Sequence, residues 1–343
     1  MGDGPHRGGR RRTWRRGGRR WCHRCRRHHL RGKDPRTRRL VVRALVCGGA
    51  GFIGSHLVDR LLADGHAAEV VDDLRTGSLA NLAQARAAGG ELKIHNIDVT
   101  APAFLDLVSL RRPDVIFQMT ALSPASAHAI SSVGSAAQVV AALEAARLYG
   151  AAKVVVGLPA TLLYGEVAVR DIPAKEGRFA DAVSVPNVIA RMIPDLLGVY
   201  REVHAVEYTA LAVANVYGPR QRSEDGVVAS FAAALAAGES PEIYGTGRQT
   251  RDFIHVDDVV DAYVRAATKG DGLLINIGTG VQTTIAALWR VMSGTSGLRA
   301  STVKARPGDI SRFAISPVRA RIHLAWAPFT ELNDGLAALL GGN

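Results

Sequence analysis

The sequence predicts an α/β protein built on a doubly wound parallel sheet, with a smaller C-terminal part. Three observations carry that prediction. Apolar runs of strand length alternate with helical stretches from Arg43 to Asn215. Each run is continuous rather than alternating in polarity, as expected of strands buried on both faces by helices. The first run meets three glycines, Gly48, Gly51 and Gly54, and the second closes on Asp72-Asp73, about 20 residues further on. That spacing belongs to the Rossmann type of sheet, whose ligands gather at the carboxyl ends of the strands.

In chain order, Arg43–Cys47 is the first strand. Gly48 permits a tight turn, Gly51 lets backbone approach a pyrophosphate, and Gly54 lets helix and strand pack closely. The helix entered at Phe52-Ile53 carries the apolar stripe Leu57, Val58, Leu61 and Leu62 and stops before Gly65. Its free amides and positive dipole end suit a phosphate, so the segment reads as a dinucleotide site. Glu69–Val71 is the second strand. Ser78 caps a short helix near residue 85; Leu92–Asn96 is a third strand leading to Asp98-Val99; a helix covers 102–111. Strands at Val115–Phe117 and Lys153–Val156 flank an Ala-rich helix over 134–148. A further helix over 187–204 precedes a strand at Tyr208–Asn215. Beyond it the elements shorten. We therefore expect a basic tail over 1–41, a dinucleotide-binding domain over 42–217, and a mainly substrate-binding region over 218–343, some of whose segments return to the first domain.

The formal charge of +12 is misleading. Residues 1–40 hold fifteen arginines and one lysine against two aspartates, a net of +14, so the remainder is near neutral at −2. The tail has almost no aliphatic residues and reads as disordered, or as an upstream extension that is not translated. Val42-Arg43-Ala44 looks like the natural start of the domain. Its arginines, with Trp14 and Trp21, suit only nonspecific contact with nucleic acid. Cys22, Cys25, His28 and His29 are spaced too tightly for the usual zinc fingers, and no metal site is expected. Three cysteines without a pattern, no secretory core and no apolar run near the roughly 20 residues of a bilayer span point to a cytoplasmic protein. Cys47 is read as a small core residue.

Eight landmarks in order, across about residues 42–341, resemble the extended short-chain dehydrogenase/reductase family. They are Gly48–Gly54, Val71–Leu74, Asp98, Leu163-Tyr-Gly165, Asn215-Val-Tyr-Gly-Pro-Arg-Gln221, Gly245–Asp258, Asn276–Gly280 and Arg306-Pro-Gly-Asp309. The similarity is strongest to nucleotide-sugar epimerases and dehydratases such as the UDP-glucose 4-epimerases. It implies NAD as cofactor, a UDP-sugar as substrate, and a homodimer formed through two helices. In an intact member NAD oxidises the sugar at C4 to a ketone and returns the hydride on the other face. Carried over by position, Asp72 would hold the adenosine ribose, favouring NAD over NADP, with Arg75 weakening that preference. Asp73 closes the same strand, and Asp98 and Val99 would flank the adenine. Arg251 and Arg306 would clamp the nucleotide diphosphate, with Asn215 and Asp309 on the sugar-nucleotide side.

The resemblance fails at the chemical step. The family pairs Tyr and Lys one helical turn apart, with a Ser or Thr after the fifth strand; the ammonium lowers the tyrosine pKa and the tyrosine moves the sugar's proton. Aligned without a gap, the Tyr position holds Pro186 and the Lys position Ala190. Leu158-Pro159-Ala160 replaces the serines, leaving Thr161 as the nearby hydroxyl, and Gln118-Met-Thr-Ala121 departs from the usual His-Leu-Ala-Ala. Pro194 interrupts the same helix at roughly 3 kcal/mol or with a kink. The one literal Tyr-x-x-x-Lys, Tyr149–Lys153, falls at the amino end of the sheet and is read as structural. Arg191 is adjacent to the vacant Lys position but about 100° round the helix, so it supplies charge only if a proline shifts the register. Weak or absent activity is expected, with a non-catalytic sensor of NAD or a nucleotide sugar as the alternative.

Overall fold

A computed structural model of the chain describes Met1 and residues 41–119, 122, 129–306 and 308–341. The basic segment lies outside the described residues, and with it the zinc and nucleic-acid readings. Residues Val41–Asn343 form one compact unit.

The first half runs β1 (Arg43–Cys47), α1 (Phe52–Ala63), β2 (Ala67–Val71), α2 (Ala83–Ala87), β3 (Leu92–His95), α3 (Pro102–Arg111), β4 (Val115–Gln118), α4 (Ala129–Tyr149), β5 (Lys153–Pro159), α5 (Ala160–Tyr164), α6 (Val185–His204) and β6 (Tyr208–Val213). The second half runs β7 (Asn215–Tyr217), α7 (Val227–Ala237), β8 (Glu242–Tyr244), β9 (Thr250–Arg251), β10 (Phe253–His255), α8 (Val256–Ala266), β11 (Leu273–Ile277), β12 (Thr283–Thr284), α9 (Ile285–Ser293), β13 (Ser301–Val303), α10 (Val318–His323) and α11 (Leu332–Gly341).

Seven strands form one parallel sheet in the order β3-β2-β1-β4-β5-β6-β11. The order reverses beside β1, which pairs with both β2 and β4, so a crevice opens there at the carboxyl edge. Register makes the site residues arrive together. Cys47 is level with Val71 and Gln118, and Gln118 with Val156, so Gly48, Asp72 and Met119 leave the sheet at the height of Gly157, where β5 runs on beside β6.

Several boundaries depart from the sequence expectation, four of them near the site or its flanking helices. β5 runs to Pro159, three residues past Val156, because Gly157–Pro159 pair with Leu211–Val213 of β6. The strand expected over Tyr208–Asn215 ends at Val213, and Asn215 instead opens β7, which pairs with β10. α4 begins at Ala129 rather than near 134, since its small residues continue the helix backwards. α6 starts at Val185, where the Ser184 hydroxyl accepts from the Asn187 amide at 3.3 Å, and it continues past Pro194 to His204.

The large core joins both sheet faces and takes in Ile254, Tyr263, Ile277, Ile315 and Trp326 from the second half. A smaller core around Tyr217, Phe231, Phe253, Leu288 and Trp289 lies beneath α7 and α9. Asp252 and Asp258 tie segments of the second half to one another. Asp252 accepts from the Thr279, Gly280 and Ile315 amides, and Asp258 from Phe329 and Thr330. Among the described residues no helix is long and apolar enough to cross a membrane, and no group of three or more acidic, His or Cys residues is placed to hold a metal.

Candidate functional site

The glycine turn is built as its spacing requires. Gly48 sits at φ 80°, in the left-handed region that glycine alone enters freely, and its amide donates to Val71 O at 2.8 Å. A Cβ on Gly54 would stand 2.2 Å from Gly48 O and 2.9 Å from Gly49 Cα, both backbone. That close approach leaves the first turn of α1 open to a phosphate. Phe52 and Ile53 begin the helix there.

Asp72 is held at the carboxyl end of β2 by two backbone amides. Its Oδ2 accepts from Ala50 N and its Oδ1 from Leu74 N, each at 2.9 Å, so the carboxylate ties the glycine turn to β2. Burial pushes its pKa above the usual carboxylate range, opposed by those two amides. Each oxygen keeps a second lone pair for a ligand hydroxyl. Arg75 is engaged by acids on both sides: Asp73 at 2.5 Å and Asp98 at 3.5 Å. Asp98 accepts from Thr100 N and Oγ1, both at 2.8 Å, and these bonds hold its pKa low; Val99 beside it is buried.

The structure brings Arg251 and Asp309 together as an ion pair and leaves Arg306 apart from it. Arg251 also donates to Ile310 O at 2.6 Å and Thr250 O at 2.8 Å. Burial lowers its pKa, with Asp309 opposing. Arg306 lies over the Tyr244 ring, 3.8 Å from its centroid.

Between the glycine turn and the second half is a cavity of about 220 Å³. Phe52, Ile53, Met119, Gly157–Pro159, Thr161, Val213–Val216, Gln221 and Tyr263 are among its walls. Two acceptors in it, Asn215 Oδ1 and Gln221 Oε1, are buried without a partner among the described residues. The one carboxylate among its described walls, Asp225, is held by Arg222 at 2.8 Å. A neutral, hydroxyl-bearing ligand matches this inventory.

Pro186 occupies the first turn of α6, and Ala190, one turn on, is fully buried. The Asn187 side-chain Nδ2 donates to Leu162 O at 2.8 Å, tying this end of α6 to the segment that follows β5. Neither Pro186 nor Ala190 bears a titratable group, and Ala160 at the end of β5 is buried. Thr161 does reach the cavity wall. Arg191 does not: its Nε donates to Leu163 O at 3.4 Å and its guanidinium lies 6.0 Å from the Phe179 ring. Its Nη2 is buried without a hydrogen-bond partner among the described residues. Tyr149 and Lys153 are structural, as expected. Lys153 is buried at the amino end of β5, bound to Lys269 O at 2.6 Å and Asp271 at 2.5 Å. Thr120 and Ala121 lie outside the described residues.

Sequence reading missed Gly157, Gln221 and Tyr263. Gln221 ended a quoted landmark yet received no role. Gly157 interrupts a valine run, and a glycine within a strand signals close approach of another group. Here that group is Tyr263, whose hydroxyl would stand 2.0 Å from a Cβ on Gly157.

Comparison with known proteins gives a consistent result. The model of the NAD dependent epimerase/dehydratase family matches residues 44–278. A UDP-glucose 4-epimerase of Mycolicibacterium smegmatis is 37% identical over 310 residues, covering 86% of this chain and 96% of the relative. Among solved structures, the UDP-glucose 4-epimerase of Thermotoga maritima with UDP-glucose superposes with a TM-score of 0.81 at 31% identity, covering 87% of this chain and 97% of that one. The Thermus thermophilus UDP-glucose 4-epimerase in complex with NAD gives 0.79 at 27% identity, covering 87% and 98%.

Proposed function

Because the chain belongs to the NAD-dependent epimerase/dehydratase family, we propose that it binds NAD and a UDP-sugar in this cleft and that its family chemistry is weak or lost. The cofactor is NAD. When bound, it supplies a hydride acceptor at the carboxyl edge of β1 and β4. Gly48, Gly51, Phe52, Ile53 and Gly54 cradle its pyrophosphate, Asp72 and Asp73 serve the ribose, and Asp98 and Val99 border the adenine. Arg251, Arg306 and Asp309 hold the sugar nucleotide, Arg251 being released from Asp309 as the diphosphate arrives. Asn215 Oδ1 accepts from a sugar hydroxyl.

One observation supports the reading: Gly48, Gly54 and Asp72 form the close-packed turn, whereas Pro186, Ala190 and Ala160, at the positions aligned with the family's chemistry, bear no acid, base or ammonium. Losing one positioned acid/base group typically costs about 10²–10⁴ in rate, so losing the set leaves little hydride chemistry. Thr161 is the remaining hydroxyl from this segment, and its pKa is unsuited to abstracting a proton unaided. The test is conversion of UDP-galactose to UDP-glucose by the wild type and by Pro186→Tyr/Ala190→Lys. Activity gained only in the variant supports a disabled enzyme. Steady wild-type turnover overturns the reading. A silent variant that binds both ligands favours the second reading, a dedicated sensor of NAD or nucleotide sugar, which the neutral, apolar cavity also suits.

The partner we propose is a second copy. Val188, Met192, Val199 and Val203 stand exposed along α6, and Ile130 and Val133 along α4, which packs beside it. Two adjacent helices presenting an uncovered apolar stripe fit the same face of another chain.

A further inference from the structure

The loop after β7 is fastened to α1, and Gln221 within it lines the cavity. His56 Nε2 and Pro219 O are 3.0 Å apart, and Arg220 reaches Asp59 at 2.7 Å and Ser55 Oγ at 3.2 Å. Gln221 Nε2 then donates to Val216 O at 3.1 Å and Asp225 O at 3.5 Å. Turning the amide over would set its oxygen against those two carbonyls, so Oε1 is a fixed acceptor. Gly226 keeps room for this arrangement, since a Cβ there would stand 2.8 Å from Gln221 Nε2. Oε1 is buried and has no hydrogen-bond partner among the described residues. A buried acceptor without a donor is destabilising, and a methionine would fill the same length without that cost. What satisfies the oxygen is a donor that enters the cavity.

The remaining polar groups indicate what kind of donor it is. Asn215 Oδ1 is a second buried acceptor in the wall without a partner among the described residues. Asp225 adds a carboxylate, and both its oxygens are taken by Arg222 at 2.8 Å, which also lies 3.4 Å from Glu224. None of the described wall residues is Lys, Arg or His. The wall is otherwise largely apolar, with Leu158, Val213, Val216, Val228 and Phe253 among its residues, so an unpaired charge brought in is costly. A hydroxyl donates to these acceptors and brings no charge. A carboxylate only accepts, and here it meets further oxygens and no cation.

We propose that Gln221 is a specificity-determining residue: its Oε1 accepts a hydrogen bond from a sugar hydroxyl, and the cavity it lines takes an uncharged sugar rather than one bearing a carboxylate. The proposal deepens the UDP-sugar reading above and rests on it. Calorimetry on the full chain with excess NAD compares UDP-glucose, UDP-glucuronate and UDP, which lacks the sugar. Wild type should bind UDP-glucose at least roughly tenfold more tightly than UDP-glucuronate. Gln221→Met should weaken UDP-glucose roughly five- to tenfold and leave UDP unchanged. Gly226→Ala, whose Cβ displaces the amide, should give the same pattern and serves if Gln221→Met fails to fold. Equal losses for UDP-glucose and UDP, or no loss for either, overturn the proposal by reducing Gln221 to a brace for its loop. Wild type that binds UDP-glucuronate as tightly as UDP-glucose overturns it as well. Wild type that binds none of the three brings down the UDP-sugar reading itself, and the proposal with it.

Discussion

The contact between Gly157 and Tyr263 makes a sharp prediction about stability that is independent of any ligand. An alanine Cβ at 157 stands 2.0 Å from Tyr263 Oη, 3.3 Å from Cζ and 3.9 Å from Cε1. A carbon and an oxygen normally meet at about 3.3 Å or beyond, so the hydroxyl must move by more than 1 Å in a close-packed interior. Overpacking of that kind costs about 1–3 kcal/mol. Gly→Ala at a compatible backbone position returns about 0.4–1 kcal/mol through the unfolded chain, which leaves Gly157→Ala destabilised by roughly 1–2 kcal/mol. In the Tyr263→Phe background the offending atom is gone and the nearest approach is the 3.3 Å to Cζ. There the same substitution should be neutral or mildly stabilising. Urea denaturation of the four proteins without cofactor therefore yields a coupling of about 1–3 kcal/mol. Effects that add to within about 0.5 kcal/mol would refute the packing described here.

Three further outcomes follow from the same geometry. Gly54→Ala drives a Cβ to 2.2 Å from Gly48 O, where only backbone can yield, so NAD affinity measured by calorimetry should fall at least roughly tenfold; unchanged affinity would mean the turn is not the pyrophosphate cradle. His56 donates to Pro219 O at 3.0 Å, and burial lowers its pKa. Its folded state is neutral while the unfolded chain takes a proton near pH 6.5, so this contribution is complete above about pH 6.5 and is lost as the pH falls below it. Denaturant midpoints at pH 8 and 5.5 should differ less in His56→Gln than in wild type, and an equal difference rejects the assignment. Val188→Glu/Val199→Glu places charge on the exposed stripe of α6, and sedimentation should then report half the wild-type mass; a wild-type monomer ends the dimer proposal.

The fold was legible because its determinants are local. Continuous apolar strands, three spaced glycines and an acid at the end of β2 each state their role in a few residues, and register then brings their ends to one edge. The failures have a common physical origin. Whether β5 stops at Val156 or runs to Pro159 depends on its pairing with Leu211–Val213, which no feature of the strand itself encodes. Asp72 was legible as an acid in the right place, but its second duty toward Ala50 N and Leu74 N is a tertiary fact. Arg75 reads in the sequence as a cation near Asp72, but that Asp98, beyond the end of β3, stands 3.5 Å from it is a tertiary fact too. Tyr263 was invisible because its meaning depends on a glycine 106 positions away whose missing side chain it replaces.

The alignment of α6 bears the weight of the functional reading, and Ala190 permits a direct test of it. Position 190 is fully buried, one turn beyond Pro186. An ammonium placed there without a partner should cost several kcal/mol, as uncompensated buried charges do. If the position faces the cofactor, ribose hydroxyls answer that charge and NAD binds Ala190→Lys more tightly than wild type. Tenfold tighter binding adds about 1.4 kcal/mol of ligand stabilisation at saturation. For a chain of this size that is an extra shift of at least roughly 2 °C in the NAD-bound midpoint. The readout is the difference between bound and free midpoints, so a general loss of stability cancels. A larger NAD shift in Ala190→Lys than in wild type supports position 190 as the vacated lysine site. An equal or smaller shift means that the buried ammonium meets only the core, and that Pro186 and Ala190 are not where the chemistry was lost.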